Sequence, residues 1–319
     1  MKKHDLTPKQ IRCLQTELTV CPDLFNNNSP FARAQQTFKV YRESESRFRI
    51  PRFYGFKVFG PPLCSKIKPG ISIDIQFEGT LKSALEQPHA CSLVIEQLKT
   101  VGGGILSLPT GYGKTTCALY IIAQMKVKTL IIVHKEFLMN QWLERIAQFL
   151  PSASVGIIRQ NKVDSVGKDI VIAMLQSLSL KDYPEGTFDD FGFTVIDETH
   201  HVCSKVFSRA LFNVGCRYML GLSATPERKD GLTKVLHWFL GPMAFQIKRK
   251  NQEGVTVEIL KYNCETYSEP PPVSVAGQVS IPAVISLICS IQERNEIIIN
   301  KICALLKIGR KIIILSERR

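Results

Sequence analysis

The sequence predicts an α/β fold, an open and mostly parallel sheet with helices on both faces. Three observations predict it. Short apolar runs recur at Gly103–Ser107, Thr129–Val133, Ser154–Ile158, Asp169–Ala173, Phe193–Ile196 and Tyr218–Leu222. Runs of that length without polar alternation mark strands covered on both sides. Helical or turn-rich segments separate them, and a β-α-β rhythm builds parallel sheets. Finally, the first run opens into Leu108-Pro109-Thr110-Gly111-Tyr112-Gly113-Lys114-Thr115-Thr116, followed by the apolar helical stripe Cys117, Ala118, Ile121, Ile122. Strand, glycine turn and helix in that order form a phosphate cradle. Glycine lets successive N–H groups point inward, and the helix N-terminus adds the positive end of its dipole.

Residues 1–76 read as a basic, aromatic-rich N-terminal extension of small α+β character. Leu6–Leu18 suits a helix, and Asn26-Asn27-Asn28-Ser29-Pro30 is a turn signal. Phe38–Phe59 interleaves aromatics with Arg42, Arg47, Arg49, Arg52 and Lys57, and Arg47–Ile50 alternates as a half-exposed strand does. The aromatics are expected in a core, leaving the arginines for solvent or nucleic acid.

Residues 77–245 carry the sheet. Gln87–Lys99 is helical in period, with Ala90, Leu93, Val94 and Leu98 on one face. Glu136–Leu150 is a second helix, with Met139, Leu143, Ile146 and Leu150 in phase and Pro151 ending it. Leu240-Gly241-Pro242 closes the unit. Residues 246–283 are strand-like over Val255–Tyr262, then a stiff linker through Glu269-Pro270-Pro271-Pro272. In residues 284–319 a long helix over Val284–Leu306 is capped by Gly309, and Lys311–Leu315 begins another strand.

The chain has 319 residues and a net charge of +13. Residues 1–80 hold 13 Lys+Arg against 7 Asp+Glu (+6), residues 81–240 hold 17 against 14 (+3), and residues 241–319 hold 11 against 7 (+4). A basic excess outside the sheet favours a polyanionic partner. Ten cysteines are scattered without a C-x-x-C pair, and Cys117, Cys289 and Cys303 fall in apolar helical patterns. That suits buried free thiols in an intracellular, reducing compartment rather than a zinc site or disulfide framework. No apolar h-region follows Met1, and no run approaches the ~18 apolar residues of a membrane span, so no membrane partner is expected.

Three stretches carry chemistry. In the cradle, Lys114 would reach the β/γ-phosphates and the Thr115 hydroxyl would ligate Mg²⁺. Pro109, Thr110, Gly111, Tyr112, Gly113 and Thr116 complete the expected ATP loop. Leu108 stands where the full G-x-x-x-x-G-K-[ST] pattern has its first glycine. The second stretch is Phe193-Thr194-Val195-Ile196-Asp197-Glu198-Thr199-His200. A lone Asp-Glu after a strand is more often a helix N-cap. Paired with a cradle upstream, Asp197 would hold Mg²⁺ through water, and Glu198 would orient and deprotonate an attacking water. The third is Gly221-Leu222-Ser223-Ala224-Thr225-Pro226, whose hydroxyls can bond His200 or Asp197 and so couple the site to something that moves. By itself it reads as a strand, turn and N-cap.

Together these stretches resemble the superfamily 2 DExH-box helicases. Thr110–Thr115 is similar to motif I, Asp197-Glu198-Thr199-His200 to motif II and Ser223-Ala224-Thr225 to motif III. Val133–Trp142 resembles motif Ia and Ala173–Leu178 the motif Ib/Ic region, which in the family touch nucleic acid. This implies contacts from His134, Lys135, Gln141 and Gln176. Gln87 is similar to the adenine-reading glutamine, and an amide can pair with adenine N6 and N7. Arg217–Leu232 narrows the likeness to the XPB-like branch, including helicases of large DNA viruses and the poxvirus transcript-release helicase. Arg228-Lys229-Asp230 falls where that branch carries Arg-Glu-Asp, with Lys229 reversing one charge.

The resemblance implies a RecA-like ATP-binding domain at 77–245 and the start of a second RecA-like domain at 284–319, where Lys311–Arg318 resembles motif IV. No Gln-x-x-Gly-Arg-x-x-Arg stretch follows, so motifs V and VI and the family's arginine finger are absent. Such fingers contribute ~10³–10⁵ in rate. The expectation is therefore an ATP- and Mg²⁺-dependent helicase or translocase with catalytic Lys114, Asp197, Glu198 and His200. Its partners would be nucleic acid, DNA ahead of RNA, and a chain carrying the missing motifs. The alternatives are a weakly hydrolysing ATP- and nucleic-acid-binding fragment or subunit, and the motor of a restriction-type nuclease. The nuclease is disfavoured because no separate metal-binding carboxylate cluster is visible.

Overall fold

A computed structural model describes residues 1–22, 37–199, 205–227, 230–248, 257–263, 270–273 and 279–315. The chain forms two compact units, Met1–Lys250 and Asn251–Arg319.

The first unit opens on α1 (Pro8–Glu17), set by a capping box between Thr7 and Gln10 with Pro8 in the first turn. β1 (Thr19–Val20) pairs antiparallel with β2 (Phe38–Lys39), and β3 (Arg42–Glu43) with β4 (Phe48–Arg49). α2 (Arg52–Phe59) follows. Leu14, Leu18, Tyr41, Phe48 and Tyr54 make a small core against Trp238, so these aromatics pack rather than stack on bases. Arg52 is also committed to the fold. Its Nη1 donates to the carbonyls of Cys216 (3.1 Å) and Arg217 (2.9 Å), and its Nη2 to that of Gly102 (2.8 Å). Burial pulls its pKa down to about 10, which leaves it charged at neutral pH.

Strands and helices then alternate: α3 (Gln87–Val101), β5 (Gly103–Ser107), α4 (Lys114–Met125), β6 (Thr129–Val133) and α5 (Glu136–Phe149). β7 (Val155–Arg159), β8 (Lys162–Val163), β9 (Ile170–Met174), α6 (Leu175–Leu180) and β10 (Phe193–Ile196) follow. α7 (Lys205–Asn213), β11 (Tyr218–Ser223), α8 (Thr233–Leu240) and β12 (Met243–Gln246) complete the unit. The sheet has eight strands in the order β12-β5-β11-β10-β6-β9-β7-β8. All pairs are parallel except β7–β8.

Each central strand is buried on both sides, which is why its sequence shows no polar alternation. Leu106, Ile131, Val133, Ile172, Val195 and Leu222 meet α3, α4 and α5 on one face. Their neighbours Ile105, Leu130, Ile132, Val171 and Ile196 meet α6, α7 and α8 on the other. β12 is the strand the sequence pattern leaves out. Leu240-Gly241-Pro242 reads as a terminator, yet it is only the turn that returns the chain to pair with β5, with a register shift between Met243 and Phe245.

In the second unit the single long helix expected over Val284–Leu306 is two, α9 (Ile281–Ser290) and α10 (Gln292–Lys307). Ile291 between them is extended, and Asn295 Nδ2 donates to the Cys289 carbonyl at 2.8 Å. A side-chain amide thus replaces the helical N–H there. Lys311–Leu315 and the described part of Val255–Tyr262 join no strand ladder among the described residues.

Candidate nucleotide and nucleic-acid site

The predicted site residues gather at one edge of the sheet. Parallel strands deliver the loops after them to the same side, where α/β sheets bind ligands. Across the adjacent strands β5-β11-β10-β6-β9 this places in turn the cradle, Ser223-Ala224-Thr225, Asp197-Glu198, His134-Lys135 and Gln176. The residues expected at nucleotide therefore sit beside those expected at nucleic acid.

The cradle has the shape an anion needs. Gly111 (φ +87°) and Gly113 (φ +79°) are left-handed, and the Tyr112 N–H closes a turn on the Pro109 carbonyl at 3.2 Å. Gly113 caps α4, whose first turn contains Lys114, Thr115 and Thr116 and no carboxylate. Lys114 Nζ rests on the loop carbonyl of Leu108 at 3.3 Å. Thr110 and Gly111 are exposed. Gln87 is 3% exposed. Its Oε1 accepts the Lys82 N–H and its Nε2 donates to the Tyr112 carbonyl, both at 2.8 Å. Its amide thus braces the loop from behind.

Asp197 is 7% exposed. Trp142 Nε1 donates to its Oδ2 at 2.8 Å and the Glu198 N–H to its Oδ1 at 2.9 Å. Burial raises the carboxyl's pKa, with Trp142 opposing the rise and the Glu198 charge adding to it. Glu198 itself has φ +49°, a conformation that non-glycine residues adopt at some cost and mostly at functional sites. Thr115 and Asp197 offer hard oxygen donors suited to Mg²⁺. Among the described residues no three His, Cys, Asp or Glu side chains gather to hold a metal by themselves. A divalent ion at this pair would therefore need phosphate oxygens or water as well.

Trp142 enters the sequence pattern only as a motif boundary. On α5 it lies in phase with Met139 and Ile146 and reads as core. The available signal is that a buried indole N–H seeks an acceptor. Trp142→Phe removes that donor and should cost ~2–4 kcal/mol at neutral pH, from a charge-assisted bond plus lost volume. The sign follows from Asp197. Its pKa is already raised, so its ionisation costs stability as pH rises through that pKa. Losing Trp142 raises the pKa further, so the variant should lose more stability near neutrality than in acid. Urea melts at two pH values check this.

Backbone contacts link the stretches. Leu108 N–H donates to the Ser223 carbonyl at 3.1 Å, and Thr199 Oγ1 to the Leu222 carbonyl at 3.3 Å. Ser223 Oγ accepts the Thr225 N–H at 3.1 Å, and Ala224 is half-buried. On the nucleic-acid side, Gln176 Nε2 donates to the His134 carbonyl at 3.0 Å. Lys135 Nζ lies 5.8 Å from the Phe137 ring centroid, and Gln141 is exposed. A bidentate Arg159–Glu136 pair, at 2.5 and 3.0 Å, joins β7 to the start of α5, and no sequence pattern announces it. Asp230 Oδ1 accepts the Leu232 N–H at 3.2 Å. His200, Arg228 and Lys229 lie outside the described residues.

A protein-family profile described as "Type III restriction enzyme, res subunit" matches residues 80–228. A protein of Acanthamoeba polyphaga mimivirus named "Putative ATP-dependent RNA helicase" is 32% identical over 323 aligned residues, covering 100% of this chain and 62% of its own length. A "Putative helicase" of Invertebrate iridescent virus 3 is 30% identical over 69% of this chain and 70% of its own length. Among solved structures, the UvsW helicase from Bacteriophage T4 superposes with a TM-score of 0.52 at 17% identity, covering 76% of this chain and 95% of that one. The chain thus spans about three fifths of the mimivirus relative and two thirds of the iridovirus one.

Proposed function

The chain belongs to the superfamily 2 DExH-box helicases, and on that premise we propose that it is an ATP-dependent motor acting on nucleic acid. The observation that carries this reading is the strand order, which sets the cradle, the Asp197-Glu198 carboxylates and the His134–Gln176 contact along one sheet edge.

In this reading Lys114 and the N–H groups of Gly111–Thr116 hold the phosphates. Thr115 and Asp197 hold Mg²⁺, which when bound would neutralise phosphate charge and polarise the phosphoryl group. Trp142 and the Glu198 N–H both donate to Asp197 and favour its carboxylate against the burial that raises its pKa. Glu198 accepts the proton of the attacking water. His200, Ser223, Ala224 and Thr225 pass the state of the site to the nucleic-acid edge, where His134, Lys135, Gln141, Gln176, Arg228, Lys229 and Asp230 contact the strand. Gln87 reads adenine, and its present bonds to Lys82 and Tyr112 hold it beside the cradle until base and loop meet. A segment carrying the second-domain motifs, in the same polypeptide or another, completes the site.

DNA is the proposed substrate. RNA is the second reading, favoured by the name of the mimivirus relative. ATP hydrolysis measured with no nucleic acid, duplex DNA, single-stranded DNA and RNA separates them. Stimulation of roughly tenfold or more by one polymer is expected, falling to background in Lys114→Ala, whose ammonium is the cradle's charge. With the segment that carries the second-domain motifs present, equal and near-background rates with every polymer, for wild type and Lys114→Ala alike, would favour a binding protein instead.

A further inference from the structure

An arginine-rich, concave surface lies at the opposite edge of the sheet, away from the residues assigned to the site above. Three concavities of about 620, 430 and 470 Å³ meet there, and Arg42 lines all three. Arg49 lines the first and third, Arg209 the second and Arg47 the third. The first also takes in Gly215, Cys216 and Met219, at the N-terminal end of β11. A strand of five or six residues spans ~16–20 Å, so this surface and the cradle are separated by the length of the strands.

Asp182, Glu185 and Asp189 also line the first concavity, but the arginines are not paired with them. Arg42 and Arg49 are cross-strand partners in the β3–β4 hairpin, and like charges directly opposite destabilise a hairpin. Among the described residues Arg42, Arg47, Arg49 and Arg209 enter no ion pair, while the hairpin's own carboxylate, Glu43, is held by Lys3 at 2.7 Å. Arg42 is oriented: its Nη2 donates to the Arg209 carbonyl and to Asn213 Oδ1, both at 3.1 Å, and its guanidinium lies 5.4 Å from the Phe212 ring centroid. Burial, then repulsion from Arg49 and Arg209, pulls its pKa down, against which Asp182 pulls it up. A pre-aimed guanidinium with forked donors among like charges is suited to phosphate.

We propose that Arg42, Arg47, Arg49 and Arg209 hold the phosphodiester backbone of nucleic acid, as a second contact that does not use the motor motifs. A single phosphate would not need three adjoining concavities. A chain of phosphates does, and the net +6 over residues 1–80, from 13 Lys+Arg against 7 Asp+Glu, lies on the same extension.

The test reads binding without ATP, so it stands or falls apart from hydrolysis. Affinity for fluorescein-labelled duplex DNA is followed by anisotropy between about 50 and 200 mM salt. The slope of log K against log salt should fall by ~0.9 for each phosphate no longer neutralised, so R49Q/R209Q should reduce it by ~1.8 and weaken affinity roughly tenfold. Both side chains are exposed, so melting temperature and nucleotide affinity should stay at wild-type values. The control K99Q/R145Q removes two exposed charges from α3 and α5, on the other face of the sheet, and should leave the slope unchanged. An unchanged slope in R49Q/R209Q would overturn the proposal. So would an equal drop in the control, or displacement of DNA by polyglutamate as readily as by unlabelled DNA.

Discussion

Glu198→Gln is expected to lower single-turnover ATP hydrolysis by ~10²–10⁴, the usual contribution of a positioned general base. Each factor of ten is ~1.4 kcal/mol of barrier, so ~3–5.5 kcal/mol should vanish from the chemical step. Nucleotide binding should stay within about twofold, because the change is isosteric and removes only the proton acceptor. The geometry favours so clean a separation. The link from residue 198 to Asp197 runs through the backbone N–H, at 2.9 Å from Oδ1, and survives the substitution. The positive φ of +49° is a cost that glutamate already bears and glutamine would bear equally. Asp197→Asn should behave differently. An amide oxygen can accept from Trp142 Nε1 or from the Glu198 N–H, whereas its NH₂ group faces the other donor. Binding of metal-nucleotide should then fail together with turnover. The measurement is fluorescent-nucleotide titration beside quenched-flow hydrolysis with nucleic acid present. Turnover within threefold of wild type in Glu198→Gln would take the base role from this residue.

Much of this arrangement was legible because a parallel sheet writes itself plainly. Strands covered on both faces leave short runs such as Thr-Leu-Ile-Ile-Val, and the loop after each run has only one edge to reach. Asp197 and Ser223 are therefore readable as strand-end residues, whereas His134 and Gln176 enter only through the resemblance to motifs Ia and Ib/Ic. What stayed hidden depends on pairing across the chain. Met243–Gln246 follows Leu240-Gly241-Pro242, which reads as a terminator, and its place beside β5 follows from the turn at Gly241 and not from periodicity. The break at Ile291 falls inside an apolar stretch, where a single asparagine side chain decides it. Trp142 looks like core because it is core, and its bond to Asp197 spans 55 residues. Arg52 sits in an exposed-looking basic run, yet three carbonyls, one of them after α3 and two before β11, consume its donors. Short-range pattern gives strands and loops. It carries no record of which buried donor meets which acceptor.

Gly113→Ala should weaken nucleotide binding by ~10–100-fold, through two costs that Gly111 does not share in full. Both glycines are left-handed, and an L-residue there costs ~1–2 kcal/mol. At Gly111 an added Cβ finds nothing within 4 Å, so Gly111→Ala should show strain alone. At Gly113 the Cβ would lie 2.5 Å from Gln87 Nε2, closer than atoms can approach. Gln87 must then turn, giving up its bonds to the Lys82 N–H and the Tyr112 carbonyl. Each such bond contributes ~0.5–1.5 kcal/mol, and a buried amide left short of partners costs more. The sum, ~2–5 kcal/mol, would be ~30–4,000-fold at 1.4 kcal/mol per tenfold if all of it fell on binding; the ~10–100-fold expected is the part, ~1.4–2.8 kcal/mol, that falls on the loop's binding conformation. Gln87→Ala in the Gly113→Ala background separates the two costs. It empties the space the Cβ needs but also removes the amide assigned to adenine, so the double variant should recover part of the affinity and stay below Gly111→Ala. Titration with a fluorescent nucleotide on wild type and the three variants reads this directly. If Gly111→Ala proved as damaging as Gly113→Ala, and removing Gln87 restored nothing, backbone strain alone would set the cradle. Gln87 would then have no part in holding it.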